Sequence, residues 1–252
     1  MKPLPPLFSY FGAKHRTAKL YPPPVGDTII EPFAGSAAYA CRYPEKRVIL
    51  YDKYPVIAGI WDYLIKATTE EILALPLIQP GELVSDMPIC QEAKWLIGFH
   101  VGQGSQCPRN KPSPMANWHL NKNPLASDTW SAGSRARIAH AVPKIKHWRI
   151  HCASYDAAPD IEATWFVDPP YQGAGIHYKE SSKQIDFARL GEWCRQRKGR
   201  VIVCENMGAD WLPFAMLKDA RGMEGGGRSG KSAEAIWTND GSHGTPLFGA
   251  IE

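Results

Sequence analysis

Short apolar runs that end in an acid open the regular part of the chain. Thr28-Ile29-Ile30-Glu31-Pro32-Phe33 is bounded by turn residues and predicts a strand. Arg47-Val48-Ile49-Leu50-Tyr51 predicts a second strand, ending at Asp52. Between them the small residues Ala34-Gly35-Ser36-Ala37-Ala38 lead into a helix-like stretch. Ile57, Ile60, Trp61 and Leu64 then recur at helical spacing and predict a helix over 56–66. Strand, helix, strand, helix with short connections implies an α/β fold: a mostly parallel sheet with helices on both faces. The rhythm breaks near Pro76. From there to about Pro143 the chain reads as loop-rich, with helices over 91–101 and 131–141, and 103–130 is rich in Gly, Pro, Ser and Asn. The alternation resumes with strands over 147–152, 164–167, 200–204 and 234–237 and an amphipathic helix over 187–197. The organisation expected is a frame of 1–75 and 144–252 carrying an inserted lobe, 76–143.

Charge sharpens that division. The chain of 252 residues carries a formal net charge of +4. Between Lys94 and Tyr155 lie nine lysines and arginines and the single acid Asp128, a surplus of eight, so the rest of the chain sums to −4. A basic lobe in an acidic frame points to a polyanion as partner; a solvated basic face is the plainer alternative. No apolar run reaches the ~18–20 residues of a membrane helix, and the start, Met1-Lys2-Pro3-Leu4-Pro5-Pro6, does not read as a secretory signal. Cys41, Cys90, Cys107, Cys152, Cys194 and Cys204 form no Cys-x-x-Cys pair and no zinc spacing, so mostly buried free thiols in a cytoplasmic compartment and no metal are expected.

Four stretches carry candidate chemistry. In Trp165-Phe166-Val167-Asp168-Pro169-Pro170-Tyr171 an apolar strand runs into an acid, two prolines and a ring. The carboxyl ends of such strands face the crevice where open α/β sheets bind ligands. The prolines fix φ and remove two donors, leaving carbonyls to accept. An exocyclic amine on a base needs acceptors and a ring to stack on, and this tetrad supplies them; a strand ending in a rigid turn is the alternative. Glu31-Pro32-Phe33-Ala34-Gly35-Ser36 lets backbone approach a ligand closely. Asp52 ends the second strand, where a ribose diol is bonded in nucleotide-binding sheets, or it caps the helix beginning near Tyr54. Phe8-Ser9-Tyr10-Phe11-Gly12-Ala13-Lys14 adds aromatics and a lysine upstream.

In this order the four stretches resemble the DNA adenine methylase (Dam-type, D12 class) family, and Gly230 to Asn239 resembles that family's C-terminal strand. The resemblance frames nearly the whole chain except the lobe. It implies a Rossmann-like S-adenosylmethionine-dependent methyltransferase fold with an inserted target-recognition lobe. It implies transfer of a methyl group to the N6 amino group of adenine in duplex DNA, with base flipping and S-adenosylhomocysteine as product. Asp168, Pro169, Pro170 and Tyr171 take the catalytic places. Tyr10, Phe11, Lys14, Glu31, Phe33, Gly35, Ser36, Asp52 and Asp168 take cofactor places. Ser154 and Tyr155 stand where the family has an acid beside an aromatic, with Asp156 one step beyond. Ala37 stands where a second glycine is usual. The expected protein is a monomer or weak dimer with a role in restriction-modification or in a phage. Within the lobe, Arg109, Lys111, Trp118, Lys122, Arg135 and Arg137 are candidate DNA contacts, with Trp118 or His119 filling the gap left by a flipped base. Trp95 and Trp148 read as core. Arg221, Arg228 and Lys231 suggest a second phosphate contact; Gly225-Gly226-Gly227-Arg228 lacks the spacing of a nucleotide-binding P-loop. The stretch 172–182, with Gly173, Gly175 and Tyr178, reads as a lid or a surface connection. The rival functions are an RNA adenine-N6 methyltransferase, a cytosine-N4 enzyme, a small-molecule or protein methyltransferase and a non-catalytic nucleic-acid-binding module on the same fold.

Overall fold

The computed structural model describes residues 2–79, 81–122, 129–173, 175, 182–217 and 234–242; of residues 119 and 120 it describes the backbone only. The strands are β1 (Thr28–Glu31), β2 (Arg47–Asp52), β3 (Arg149–Cys152), β4 (Ala163–Val167), β5 (Gly199–Asn206), β6 (Ala215–Met216) and β7 (Glu234–Thr238). The α-helices are α1 (Pro55–Lys66), α2 (Thr69–Ala74), α3 (Gln91–Gly102), α4 (Pro114–Lys122), α5 (Ala132–Ala141) and α6 (Phe187–Gln196). The strands form one sheet in the order β3-β2-β1-β4-β5-β7-β6. The first five run parallel, and β7 runs antiparallel to both β5 and β6. The expected α/β architecture with a mostly parallel sheet is present.

The central strands are buried on both faces, which is why they read as continuous apolar runs. Their period-two alternation divides them between two cores. Ile29, Leu50, Phe166, Ile202 and Ile236 face one core, with Ile57 and Trp61 of α1, Phe99 of α3 and Ile138 of α5. Ile30, Ile49, Trp165, Val167, Val201 and Val203 face the other, with Leu190 and Cys194 of α6.

The lobe enters between α1 and β3 and shares the first of these cores. Leu96, Ile97, Phe99, Trp130 and Ile138 pack in the same cluster as Ile29 and Leu50. Trp130 donates its indole N–H to the Pro76 carbonyl at 2.8 Å. Trp148 is buried and Trp95 half-buried against that core, as core tryptophans should be. The stretch after α3 folds back onto it: Arg109 N–H bonds the Gly98 carbonyl at 3.0 Å, and a Cβ at position 98 would stand 2.9 Å from the Arg109 carbonyl oxygen.

Several local expectations are corrected. The stretch after the glycine turn is not an α-helix. Gly35 and Ala37 hold φ of +45° and +47°, outside the right-handed helical region, and only a short 3-10 helix, Ala40–Arg42, follows. β1 stops at Glu31 because Pro32 has no N–H for the ladder. Within 103–130, expected as loop, α4 forms. Ser113 caps it, accepting from Ala116 N–H at 3.1 Å, and Pro114 takes the first helical position. The unforeseen α2 begins with a capping box between Thr68 and Glu71. The thiols divide evenly: Cys41, Cys194 and Cys204 are buried, Cys90, Cys107 and Cys152 exposed, and all are free. Among the described residues no helix is long and apolar enough to cross a membrane.

Candidate active site

The chain leaves β1 toward β2 and β3 on one side, and β4 begins the other half of the sheet. The carboxyl ends of β1 and β4 therefore flank the place where strand order reverses, and a crevice forms there. Glu31 ends β1 and Asp168 follows β4, so the glycine turn and the Asp-Pro-Pro-Tyr tetrad meet across it.

The glycine turn is tied down from three directions. Gly35 N–H donates to Asp52 Oδ2 at 2.9 Å, Ala34 N–H to the Tyr51 carbonyl at 2.9 Å, and the Trp61 indole to the Gly35 carbonyl at 2.8 Å. The left-handed φ of Gly35 and the Tyr10 ring, 3.2 Å from where a Cβ would stand, both exclude a side chain there. Asp52 accepts at its other oxygen from Tyr54 N–H at 2.9 Å. It thus closes the turn onto β2 and helps start α1. Glu31 is buried and accepts from Ala40 N–H at 2.6 Å; burial pushes its carboxyl far above the usual range.

A cavity of about 250 Å³ fills the crevice. Every expected cofactor residue lines it. Tyr10, Phe11 and Lys14 come from the N-terminal segment; Glu31, Phe33, Gly35 and Ser36 from the glycine turn; Asp52 from β2; Ser154 and Tyr155 from the turn after β3; and Asp168 from the end of β4. Phe33 stacks on Tyr155 with ring centroids 5.5 Å apart. Pro170 also lines the wall, while Pro169 is buried behind it and Tyr171 half-buried. Five carboxyl groups (Glu31, Asp52, Asp156, Asp168, Asp186) and three cations (Lys14, Lys53, Arg189) border the cavity. Sequence reasoning missed Asp186 and Arg189. Asp186 caps α6, and Arg189 pairs with Asp156 at 3.1 Å on the rim.

Neither a protein-family model nor a curated protein sequence matches this chain.

Asp168 sits in a buried cluster assembled from distant parts of the chain. Lys14 Nζ lies 3.8 Å from Asp168 Oδ1, 3.4 Å from Glu234 Oε1 and 4.3 Å above the Tyr171 ring. Tyr171 and Tyr21 donate their hydroxyls to Glu234 at 2.5 and 2.8 Å. Burial, opposed by Lys14 and reinforced by Glu234, pushes the Asp168 carboxyl up to about 6. Glu205, fully buried, accepts from Gln172 N–H at 3.0 Å and the Trp211 indole at 3.1 Å, clamping the chain just after the tetrad. Gly175 N–H closes a tight turn on the Tyr171 carbonyl at 2.7 Å. Tyr178 lies outside the described residues, as does most of the expected lid; Gln184 and Ile185 beyond it line the cavity.

The candidate DNA contacts separate into two groups. Arg109, Lys111, Trp118 and Lys122 are exposed on the stretch from the end of α3 through α4, and the Lys122 ammonium lies 4.3 Å over the Trp118 ring. Arg135 turns inward and donates to the Leu75 carbonyl at 2.6 Å, and Arg137 is half-buried near His15 and His100. Arg221, Arg228, Lys231 and the His119 side chain lie outside the described residues. The stretch that carries the exposed group touches the crevice wall at its start, where Phe11 N–H bonds the Ser105 carbonyl at 3.3 Å. Among the described residues no group of three or more His, Cys, Asp or Glu is placed to hold a metal ion.

Proposed function

We propose that the protein is an S-adenosylmethionine-dependent methyltransferase acting on the N6 amino group of adenine in duplex DNA. The observation that carries this reading is the convergence of two sequence stretches on one cavity: the glycine turn, a place for a nucleoside-like cofactor, and Asp168, a place for an amine to be held. The wall fits the cofactor's chemistry. Asp52 stands at the end of β2, where a ribose diol is bonded in nucleotide-binding sheets, and Phe33 and Tyr155 offer aromatic faces.

Bound there, S-adenosylmethionine supplies a methyl group already activated for transfer. The protein's part is then positioning and electrostatics. Ionised Asp168 accepts a hydrogen bond from the amine, holds its lone pair toward the methyl carbon and raises electron density on nitrogen. Asp168 would also stabilise the positive charge that methylation places on the amine nitrogen and would take the proton it releases. The Tyr171 ring, half-buried and behind the cavity wall, would stack on a base that reaches past Pro170.

The basic stretch beside the crevice supports a nucleic-acid substrate. Between Gln103 and Lys122 there is no acid. An exposed tryptophan at 51% relative exposure and a methionine, Met115, at 61% accompany its cations. Cations serve phosphates and rings serve bases. The test offers labelled S-adenosylmethionine with duplex DNA or structured RNA. Label in DNA sustains the proposal. Label in RNA alone reassigns the substrate, and cofactor binding without transfer reduces the protein to a binding module.

A further inference from the structure

Glu234 opens β7, paired opposite Asn206 at the end of β5, so its carboxyl group reaches the same end of the sheet as Asp168. Its side chain is 10% exposed and that of Lys14 12%. Donors from three separate segments converge on it: the Lys14 ammonium at 3.4 Å, the Tyr21 hydroxyl at 2.8 Å and the Tyr171 hydroxyl at 2.5 Å. A carboxylate removed from water is costly unless its acceptors are filled, and here three donors fill them. Neither Glu234 nor Tyr171 lines the cavity, so Glu234 acts on a ligand through Lys14, which does.

We propose that Glu234 is the positioning residue of this site: it fixes the Lys14 cation and the Tyr171 ring that flank Asp168. The Tyr171 ring is then held at both ends of its freedom, by its hydroxyl on Glu234 and by the ammonium over its face. Lys14 is shared between two carboxylates instead of lying wholly against Asp168. This inference rests on the methyltransferase reading for its kinetic arm only.

Glu234 also sets the conditions under which Asp168 is charged. The groups facing Asp168 are Lys14 from the N-terminal segment, Tyr21, Glu31 from β1, Tyr171, Cys204 and Glu205 from β5, and Glu234 from β7. Replacing Glu234 by Gln removes one negative neighbour and returns more of Lys14 to Asp168. Both changes favour the ionised carboxyl, so Asp168 should lose its proton at lower pH.

The experiment compares the wild type with Glu234→Gln and Glu234→Asp, following the carboxyl carbon of Asp168 by 13C NMR as pH is varied, with methyl-transfer kinetics alongside. In Glu234→Gln the Asp168 midpoint should fall by roughly half a pH unit or more. The acid limb of kcat should move down with it, and kcat should drop on the order of tenfold while cofactor Kd stays within about twofold. Glu234→Asp keeps the charge but shortens the reach, so it should leave the midpoint near the wild-type value and still lower kcat. An unmoved midpoint in Glu234→Gln, or full kcat in either variant, overturns the proposal. If the wild type transfers no methyl to any nucleic acid, the methyltransferase reading falls, and the Asp168 midpoint still decides the role of Glu234.

Discussion

The crevice and the lobe handle charge in opposite ways. At the floor of the crevice, acids are tied into networks: buried Glu31 to the Ala40 amide, half-buried Asp168 beside Lys14, and behind them Glu234 to two phenols and that same lysine. In the lobe, cations stand in solvent on the 103–122 stretch, while His100, buried beside the inward-turned Arg137, is held neutral. Its Nε2–H donates to the Leu7 carbonyl at 3.0 Å, and burial beside Arg137 pushes its pKa down to about 4. Partnered carboxyls removed from water make a small rigid site. Exposed cations prepare a broad surface for a polyanion. The proposed function puts chemistry in the crevice and grip on the lobe.

The largest expected effect breaks the crevice half. Asp168→Asn should abolish methyl transfer by a factor on the order of 10³ or more, as loss of a group poised on the reacting amine implies. The same change should raise stability at pH 8. The Asp168 carboxyl is shifted from 3.8 up to about 6, so the folded state favours its protonated form. That preference stabilises fully below about pH 4 and is lost as pH rises through about 6; an amide avoids the loss, worth on the order of 1–3 kcal/mol. Urea unfolding at pH 8 measures it.

His100 carries the opposite sign. Its folded pKa is depressed from 6.5 to about 4. The stability it contributes is present above pH 6.5 and is lost as pH falls toward 4, about 3 kcal/mol in all. Glutamine can keep the donor to Leu7 without titrating. In His100→Gln the loss of stability between pH 6.5 and 4 should therefore shrink by about that amount in thermal or urea unfolding.

Two smaller effects separate base capture from grip. Tyr171→Ala should weaken capture of the target base by about 1–3 kcal/mol. That appears as a higher KM for DNA with cofactor Kd little changed. Lys111→Gln and Lys122→Gln should each weaken DNA binding modestly and lower the slope of log K against log salt by about 1. Arg135→Gln should leave that slope unchanged and reduce stability instead, since Arg135 is bonded to Leu75.

Much of this was legible in the chain because the information is local. The strands β1, β2, β4 and β5 announce themselves as apolar runs, and the expected cofactor residues from Glu31 onward sit within a few positions of a strand end, while Tyr10, Phe11 and Lys14 come from the segment before β1. What escaped depends on long-range pairing or on small signals. Glu234 and Tyr21 meet Lys14 and Tyr171 only once β7 has inserted antiparallel beside β5, a register that periodicity does not encode. Arg135 and Arg137 look like their exposed neighbours in sequence, but the helical turn of α5 brings both inward. The helices α2 and α4 left usable marks, a Thr-x-x-Glu box at Thr68 and Ser-Pro at Ser113, inside a composition that reads as loop. The helix expected after Gly35 failed because small residues signal close approach as readily as helix, and here the left-handed turn prevailed.

The most direct test incubates the protein with unmethylated duplex DNA and S-adenosylmethionine, digests the DNA to nucleosides and weighs them, with Asp168→Asn alongside. The account predicts N6-methyladenosine in its deoxy form from the wild type and none from the variant. Product formed equally by both, or a methyl group found on another atom, would contradict it.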